Sequence, residues 1–230
     1  PDLIITCAYG QILSEEILNI PKLGCFNLHG SLLPKYRGGA PIHYALLNGD
    51  KKTGITLMYM DKGMDSGDMI AKEEIKIEDN DNIESLTSKL SIIASKMIIK
   101  YLPSLIDGTN NRVKQDINKV TFSPIITRED EHLDFNLTAK EIYNRYRMLS
   151  PNPLSNIKID DIEYKIAECK IVDASGKVST VVSKDKNSFT IMAKDKGIMV
   201  SKIKPIGKNI MNVRDFFNGY HEEIIGKEVK

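Results

Sequence analysis

Leu3-Ile-Ile-Thr-Cys-Ala8 and Cys25-Phe-Asn-Leu-His29 are two short apolar runs, and each of them predicts a buried β-strand. Between them, Ser14-Glu-Glu16 is typical of a helix start, and Pro21 ends that helical segment. The order strand, helix, strand predicts a parallel pair and therefore an α/β fold. Because no turn or helix precedes the first strand, we expect the chain to begin in the middle of a fold.

The alternation of strands and helices continues through the first half of the chain. A polar, glycine-rich loop at 30–41 precedes a helical stretch at 42–47 and a strand at 55–60. The longest periodic segment predicts a helix that starts near Asn82 and stops at Gly108. Its apolar face consists of Ile83, Leu86, Leu90, Ile93, Met97, Tyr101 and Leu105. We assign residues 1–118 to the first domain.

The pattern changes beyond residue 118, where we predict a linker at 119–135 and a second domain at 136–230. Thr138 and Glu141 have the spacing of a capping box, which predicts a helix that ends before Pro151. Short β-rich runs bounded by turn residues follow, and this pattern favours a small antiparallel barrel. The runs are 157–172, 178–183, 188–193 and 197–204, with a last short helix at 213–219.

Composition and charge exclude several classes of protein. The 230 residues include 32 Lys or Arg against 31 Asp or Glu, and no apolar run is long enough to span a membrane. We therefore expect neither a membrane protein nor a disordered polyelectrolyte. Residues 174–214 carry nine Lys or Arg against two Asp, an excess that suits a phosphate backbone. Solvated lysines alternating outward on barrel strands produce the same excess without a ligand.

The spacing of cysteines and histidines predicts no metal site. The cysteines, which form no CxxC pair, are Cys7, Cys25 and Cys169. The histidines, which form no metal-binding pair, are His29, His43, His132 and His221. We therefore expect an intracellular, reducing compartment and no zinc framework.

Three polar residues form the candidate site. Strand alternation places Asn27 and His29 on one face, and Gly30 puts them at the carboxyl end of the strand, where open α/β sheets bind ligands. The glycine-bracketed loop after the next strand offers Asp65 to the same crevice. An amide, an imidazole and a carboxylate without a nucleophile indicate electrophile polarisation with general acid–base catalysis. A structural pair of Asn27 and His29, each hydrogen-bonded within the protein, fits the same spacing.

Asn27-Leu-His-Gly-Ser-Leu-Leu-Pro34, with Arg37-Gly-Gly-Ala-Pro41 and Gly63-Met-Asp-Ser-Gly67, resembles the active-site signature of the 10-formyltetrahydrofolate-dependent formyltransferases, in particular the members that act on methionyl-tRNA. Arg147-Met-Leu-Ser-Pro-Asn-Pro153 is similar to their C-terminal domain, although Leu154 stands where the family commonly has glycine. The resemblance implies a partial Rossmann-like formyltransferase sheet followed by a small OB-like β-barrel. It also implies that the opening strand–helix units of the family are absent from this chain.

The resemblance implies transfer of a formyl group from N10 of 10-formyltetrahydrofolate to the α-amino group of methionine on initiator tRNA, without a metal. Asn27 is then a donor to the formyl oxygen, His29 a second donor that moves the proton, and Asp65 either orients a protonated His29 or holds a water. The predicted folate contacts are Ser31, Leu32, Leu33 and Pro34. Arg37 is predicted to meet tRNA phosphates or the folate glutamate, or to be a surface guanidinium. A monomer is expected, in the bacterial cytoplasm or an organelle matrix.

Two other functions fit part of the sequence. Formyltransferases that act on a sugar nucleotide or a purine precursor share the Asn, His and Asp set, but the lysine-rich second domain favours a macromolecular substrate. A tRNA-binding fragment without catalysis fits the expected missing units and the basic segment at 174–214. Such a fragment binds tRNA but not folate, which distinguishes it from an enzyme.

Overall fold

The structure, a computed structural model, describes residues 1–219 and 223–230, and His221 lies outside the described residues. The chain divides into two units, each with its own sheet. The first unit comprises Pro1–Ala45 and Asp50–Ile126, and the second comprises Leu46–Gly49 and Thr127–Lys230.

A mixed four-stranded sheet with helices forms the first unit. Its elements are β1 (Ile4–Cys7), α1 (Glu15–Leu18), β2 (Cys25–His29), most of α2 (Pro41–Leu47), β3 (Lys52–Tyr59), β4 (Met69–Lys76) and α3 (Ile83–Asp107). The strand order is β1-β2-β3-β4, and the predicted parallel pair is confirmed by the register of Ile4 with Cys25 in β1 and β2. Helix α3 packs on β3 and β4.

Strands β3 and β4 run antiparallel to their neighbours, so the sheet is not the purely parallel one that alternating strands and helices suggest. Phe26 in β2 is opposite Tyr59 in β3, and β3 pairs antiparallel with β4 across a short connection. A short connection requires this direction, because a parallel crossover needs a dozen or more residues. Strand β4 is not predicted from the sequence, since four of its last five residues are charged.

The predicted long helix is confirmed as α3, and local signals explain both of its ends. The Asn82 side chain accepts from the backbone N–H of Ser85 at 2.9 Å, while the Ser85 hydroxyl completes a capping box. Gly108 ends the helix in the left-handed region with φ 73°. Five residues of the helix are fully buried, namely Leu86, Leu90, Ala94, Met97 and Leu105.

The second unit consists of an antiparallel sheet with two helices. Its elements are α4 (Ala139–Leu149), β5 (Ser155–Ile159), β6 (Ile162–Val172), β7 (Val181–Lys184), β8 (Phe189–Met192), β9 (Gly197–Pro205), β10 (Met211–Asn212) and α5 (Val213–Gly219). The capping box of Thr138 and Glu141 is present at the start of α4, as predicted. The predicted run at 157–172 is a hairpin of two strands that turns at Asp160 and Asp161, both with positive φ.

The sheet of the second unit has the open order β5-β6-β9-β8-β7, with β10 beside β9, rather than a continuous closed barrel within the described residues. In the described parts of the second unit, the two outer strands are linked through the end of the chain. Val229 bridges Ile159 of β5, and Glu228 bridges Thr180 just before β7. Single bridges of this kind involve too few residues to be recognised from strand periodicity.

Within the described parts of the chain, no helix combines the length and the apolar character needed to cross a bilayer.

Candidate active site

Asn27 lies in β2, and its side chain is oriented by the neighbouring strand. Thr6 of β1 is its register partner, and the Thr6 hydroxyl donates to Asn27 Oδ1 at 2.9 Å. Among residues 1–219 and 223–230, no hydrogen-bond acceptor is found for Nδ2 of this amide. Asn27 and His29 do not bond to each other, so Asn27 retains a free amide donor on the face where alternation also puts His29.

His29 is buried, with 5% of its surface exposed, and its two ring nitrogens have different neighbours. Nε2 lies 2.8 Å from the carbonyl oxygen of Tyr36. Because a carbonyl oxygen only accepts, Nε2 carries a hydrogen in this arrangement. Nδ1 lies 3.5 Å from Asp65 Oδ2, so the structure brings these two predicted residues together. Nδ1 is therefore the nitrogen that can take up or release a proton.

Asp65 reaches His29 although β3 ends at the opposite edge of the sheet. The loop after β3 runs back toward the carboxyl end of β2, and Asp65 adopts a left-handed conformation with φ 48°. Its Oδ2 accepts from the backbone N–H of Gly38 at 2.8 Å. Gly38 has φ 114°, and a Cβ there lies 2.8 Å from the carbonyl oxygen of Ser123. Only glycine fits this position, so Gly38 has a steric role in the loop.

The segment 113–123, called the strap here, lies along the glycine-rich loop and was not recognised as part of the site. Arg37 pairs with it through two backbone bonds, N–H to the Thr121 oxygen at 2.8 Å and oxygen to the Ser123 N–H at 2.7 Å. The Ser123 hydroxyl also donates to the Tyr36 oxygen at 3.2 Å, the same oxygen that His29 meets. Thr121 and Ser123 both fall in the predicted linker 119–135, where loss of periodicity conceals an irregular pairing.

Gln115 of the strap holds both Arg37 and the Asp65 loop. Its Oε1 accepts from Nε and Nη2 of Arg37 at 3.0 and 2.9 Å. Its Nε2 donates to the backbone oxygens of Asp65 and Gly67, each at 2.8 Å. Arg37 is half-buried, and no carboxylate pairs with it within the described residues. Nothing in the sequence around Gln115 marks it, because its partners lie 48 to 78 positions away.

The predicted folate segment 31–34 is tightly bonded within the protein. Ser31 is fully buried, and its hydroxyl donates to the Lys35 oxygen at 2.5 Å. The Thr56 hydroxyl donates to the Ser31 oxygen and accepts from the Leu33 N–H, and Lys72 Nζ donates to the Leu33 oxygen. Desolvation, together with the charge of Lys119, lowers the pKa of Lys72. These bonds fix the backbone of the segment.

An open depression of about 340 Å³ lies beside this segment. Its lining residues are Leu32, Lys35, Tyr36, Asp50, Lys51, Lys52 and Thr53. Leu33 instead packs in a small buried cluster with Met58 and Met69, and Pro34 is half-buried. Leu32 is therefore the leucine of the pair that faces open space. No group of three or more metal-ligating side chains comes together among the described residues.

Comparisons with known proteins identify two matching family models. Residues 1–102 match the formyl transferase family, and residues 125–221 match the formyl transferase C-terminal domain. The chain is 42% identical over 226 residues to a methionyl-tRNA formyltransferase of Macrococcus caseolyticus, covering 98% of this chain and 73% of that protein.

Solved structures have the same fold. The structure of HypX from Aquifex aeolicus in complex with tetrahydrofolic acid covers 97% of this chain and 40% of its own, with a TM-score of 0.73 and 15% identity. A methionyl-tRNA formyltransferase from Clostridium thermocellum covers 77% of this chain and 75% of its own, with a TM-score of 0.60 and 25% identity.

Proposed function

The chain belongs to the methionyl-tRNA formyltransferase family, and on that premise we propose that it transfers a formyl group from 10-formyltetrahydrofolate to the α-amino group of methionyl-initiator tRNA. The observation that carries the proposal is the cluster of a free Asn27 amide donor with the His29–Asp65 pair, in a chain similar over 98% of its length to an enzyme of that name. The product supports the initiation of translation.

The donor set fits a formyl group. When bound, the folate supplies a formyl carbon whose oxygen gains negative charge as the amine attacks. Nδ2 of Asn27 donates to that oxygen, and a preorganised donor of this kind lowers the barrier by about 3 kcal/mol. Thr6 keeps the amide turned so that nitrogen rather than oxygen faces the ligand. Asn27 therefore acts as the principal electrostatic stabiliser.

His29 moves the proton. A free α-amino group titrates at about 7.7–8.0, so losing its proton requires little driving force at neutral pH. As the new C–N bond forms, Nδ1 of His29 takes the amine proton; as the old C–N10 bond breaks, Nδ1 returns it to N10. Nε2 remains bonded to Tyr36 throughout, so His29 can donate to the formyl oxygen only through a protonated Nδ1.

Two further contacts to ligand are proposed. Residues 31–34 form the folate wall, with Leu32 facing the ring system and a backbone held rigid by Thr56. Arg37 binds an anionic group, either the folate glutamate or a tRNA phosphate, since no carboxylate in the described residues neutralises it. We expect Arg37→Ala to lower the affinity for one of these two ligands in equilibrium titrations. Unchanged affinity for both ligands contradicts the assignment.

The second unit is proposed to bind the tRNA backbone and to function as an OB-like barrel linked by Glu228 and Val229. Six basic residues of the segment 174–214 are exposed and form no ion pair within the described residues. They are Lys177, Lys186, Lys194, Lys204, Lys208 and Arg214. Released counterions then make tRNA affinity fall steeply with salt. An affinity that is insensitive to salt contradicts this role.

A formyl-transfer assay tests the whole proposal. The full-length protein is mixed with 10-formyltetrahydrofolate and either methionylated initiator tRNA or an amino-sugar nucleotide. We expect formyl transfer to the tRNA alone, catalysed by a monomer in the bacterial cytoplasm. Transfer to the sugar refutes the substrate assignment, and tRNA binding without folate binding or transfer favours a binding module instead.

A further inference from the structure

The side-chain amide of Gln115 has all of its hydrogen-bonding positions filled. Both lone pairs of the oxygen face donors of Arg37, and both hydrogens of the nitrogen face backbone oxygens. A guanidinium only donates and a carbonyl only accepts, so the amide fits this place in a single orientation. With 9% of its surface exposed, Gln115 has little water available to replace these partners.

The two oxygens that Gln115 holds belong to the loop that carries the Asp65 carboxylate. Asp65 has φ 48°, a conformation that costs a residue with a side chain about 1 kcal/mol and therefore needs external bonds to persist. Gln115 binds the backbone of Asp65, and Gly38, next to Arg37, binds its carboxylate. One amide thus connects both loops that meet at the carboxylate.

We propose that Gln115 is a positioning residue for formyl transfer, which keeps the Asp65 carboxylate beside Nδ1 of His29 and touches neither substrate. The inference rests on the proposed function, because His29 and Asp65 are the groups it serves. It predicts that Gln115 matters for turnover only while Asp65 carries a carboxylate. A purely structural role predicts an effect that does not depend on Asp65.

Gln115→Glu is the sharpest variant. The carboxylate keeps the pairing with Arg37 but presents an oxygen to the two carbonyls, so the loop of Asp65 is repelled. Gln115→Met removes all four hydrogen bonds without adding charge. It replaces Gln115→Glu in the experiment if that variant does not fold. Asn110→Asp is the matched control, because Asn110 also accepts from one group and donates to a backbone oxygen, but its partners are Tyr59 and Ser104.

The experiment is a double-mutant cycle between Gln115→Glu and Asp65→Asn, measured as kcat and KM in the full-length protein with urea unfolding in parallel. We expect Gln115→Glu to lower kcat on the order of 10²-fold, as a displacement of about 1 Å of a catalytic group does. In Gln115→Met, which adds no carboxylate to neutralise Arg37, KM for both substrates should change less than about twofold, and Asn110→Asp should leave kcat near wild type. In the Asp65→Asn background, Gln115→Glu should lower kcat by less than about threefold.

Three outcomes overturn the proposal. Equal losses with and without the Asp65 carboxylate show that Gln115 does not act through it. A loss in Gln115→Met that is confined to KM shows that Gln115 acts on substrate binding. An equal loss of kcat in Asn110→Asp shows a general effect of altering hydrogen bonds in the chain that follows α3. Failure of the proposed function looks different, because the wild-type protein then has no formyl transfer and the cycle has no starting rate.

Discussion

Asn27→Ala, paired with Thr6→Val, tests how the formyl oxygen is stabilised. Asn27→Ala removes the only donor assigned to that oxygen in the resting site, and the loss of such a donor costs about 3 kcal/mol, or 10²–10³-fold in rate. Thr6→Val removes the 2.9 Å bond that orients the amide but leaves the amide in place. A neutral hydrogen bond is worth about 1 kcal/mol, so we expect about a fivefold lower rate.

The assay is single-turnover formylation of methionylated initiator tRNA at saturating folate, which reports the chemical step rather than product release. Because Thr6 acts through Asn27, the double variant should be within about twofold of Asn27→Ala alone. Thr180→Val is the control, since the Thr180 hydroxyl also donates to a backbone oxygen, that of Lys177. Near-full turnover of Asn27→Ala refutes the donor role. If Thr6→Val lowers the rate equally when Asn27 is replaced by alanine, the orienting role of Thr6 is refuted.

Gly38→Ala should destabilise the protein on the order of 3 kcal/mol in urea unfolding, since its Cβ lies 2.8 Å from a strap oxygen, whereas Gly10→Ala, with positive φ but no neighbour within 4 Å, should cost far less. Burial acts to raise the pKa of Asp81, but its hydrogen bonds, above all from Lys89, hold it below 3.8. That stabilisation is complete above the pKa of the unfolded state and is lost as pH falls through the pKa of the folded state. Asp81→Asn should therefore make the free energy of unfolding depend less on pH in acid, and an unchanged acid transition contradicts this. Burial raises the pKa of Cys169, so alkylation at pH 8 should label it only after unfolding, as mass spectrometry can show.

Local signals account for most of the elements that were predicted. The capping residues Asn82 and Thr138 and the stop at Gly108 act within three or four positions of the helix end, so a single sequence contains all that is needed to find them. Strand alternation similarly puts Asn27 and His29 on one face, because a period of two depends on nothing outside the strand. The residues of the candidate site that lie on β2 were therefore predictable.

The remaining parts of the site depend on contacts between distant segments. The direction of β4 relative to β3 follows from their short connection, but β4 itself is hidden by exposed charged residues. The strap has no periodicity, and its bonds to the Tyr36 and Arg37 backbone join positions more than 80 apart. Arg37 illustrates the consequence, since sequence alone assigned it to a ligand or to solvent, whereas both of its bonded nitrogens meet Gln115.

The distances around His29 indicate when Asp65 acts. With Nε2 bonded to Tyr36, Nδ1 of a neutral imidazole carries no hydrogen and lies 3.5 Å from the carboxylate oxygen, and these two acceptors gain nothing from each other. Once Nδ1 takes a proton, the same pair becomes a cation facing an anion inside a site that excludes most water. In the proposed reaction, we therefore expect Asp65 to stabilise the imidazolium formed during transfer more than it stabilises the resting enzyme. Of the two roles left open by the sequence, orienting and stabilising a protonated His29 is the one this geometry supports.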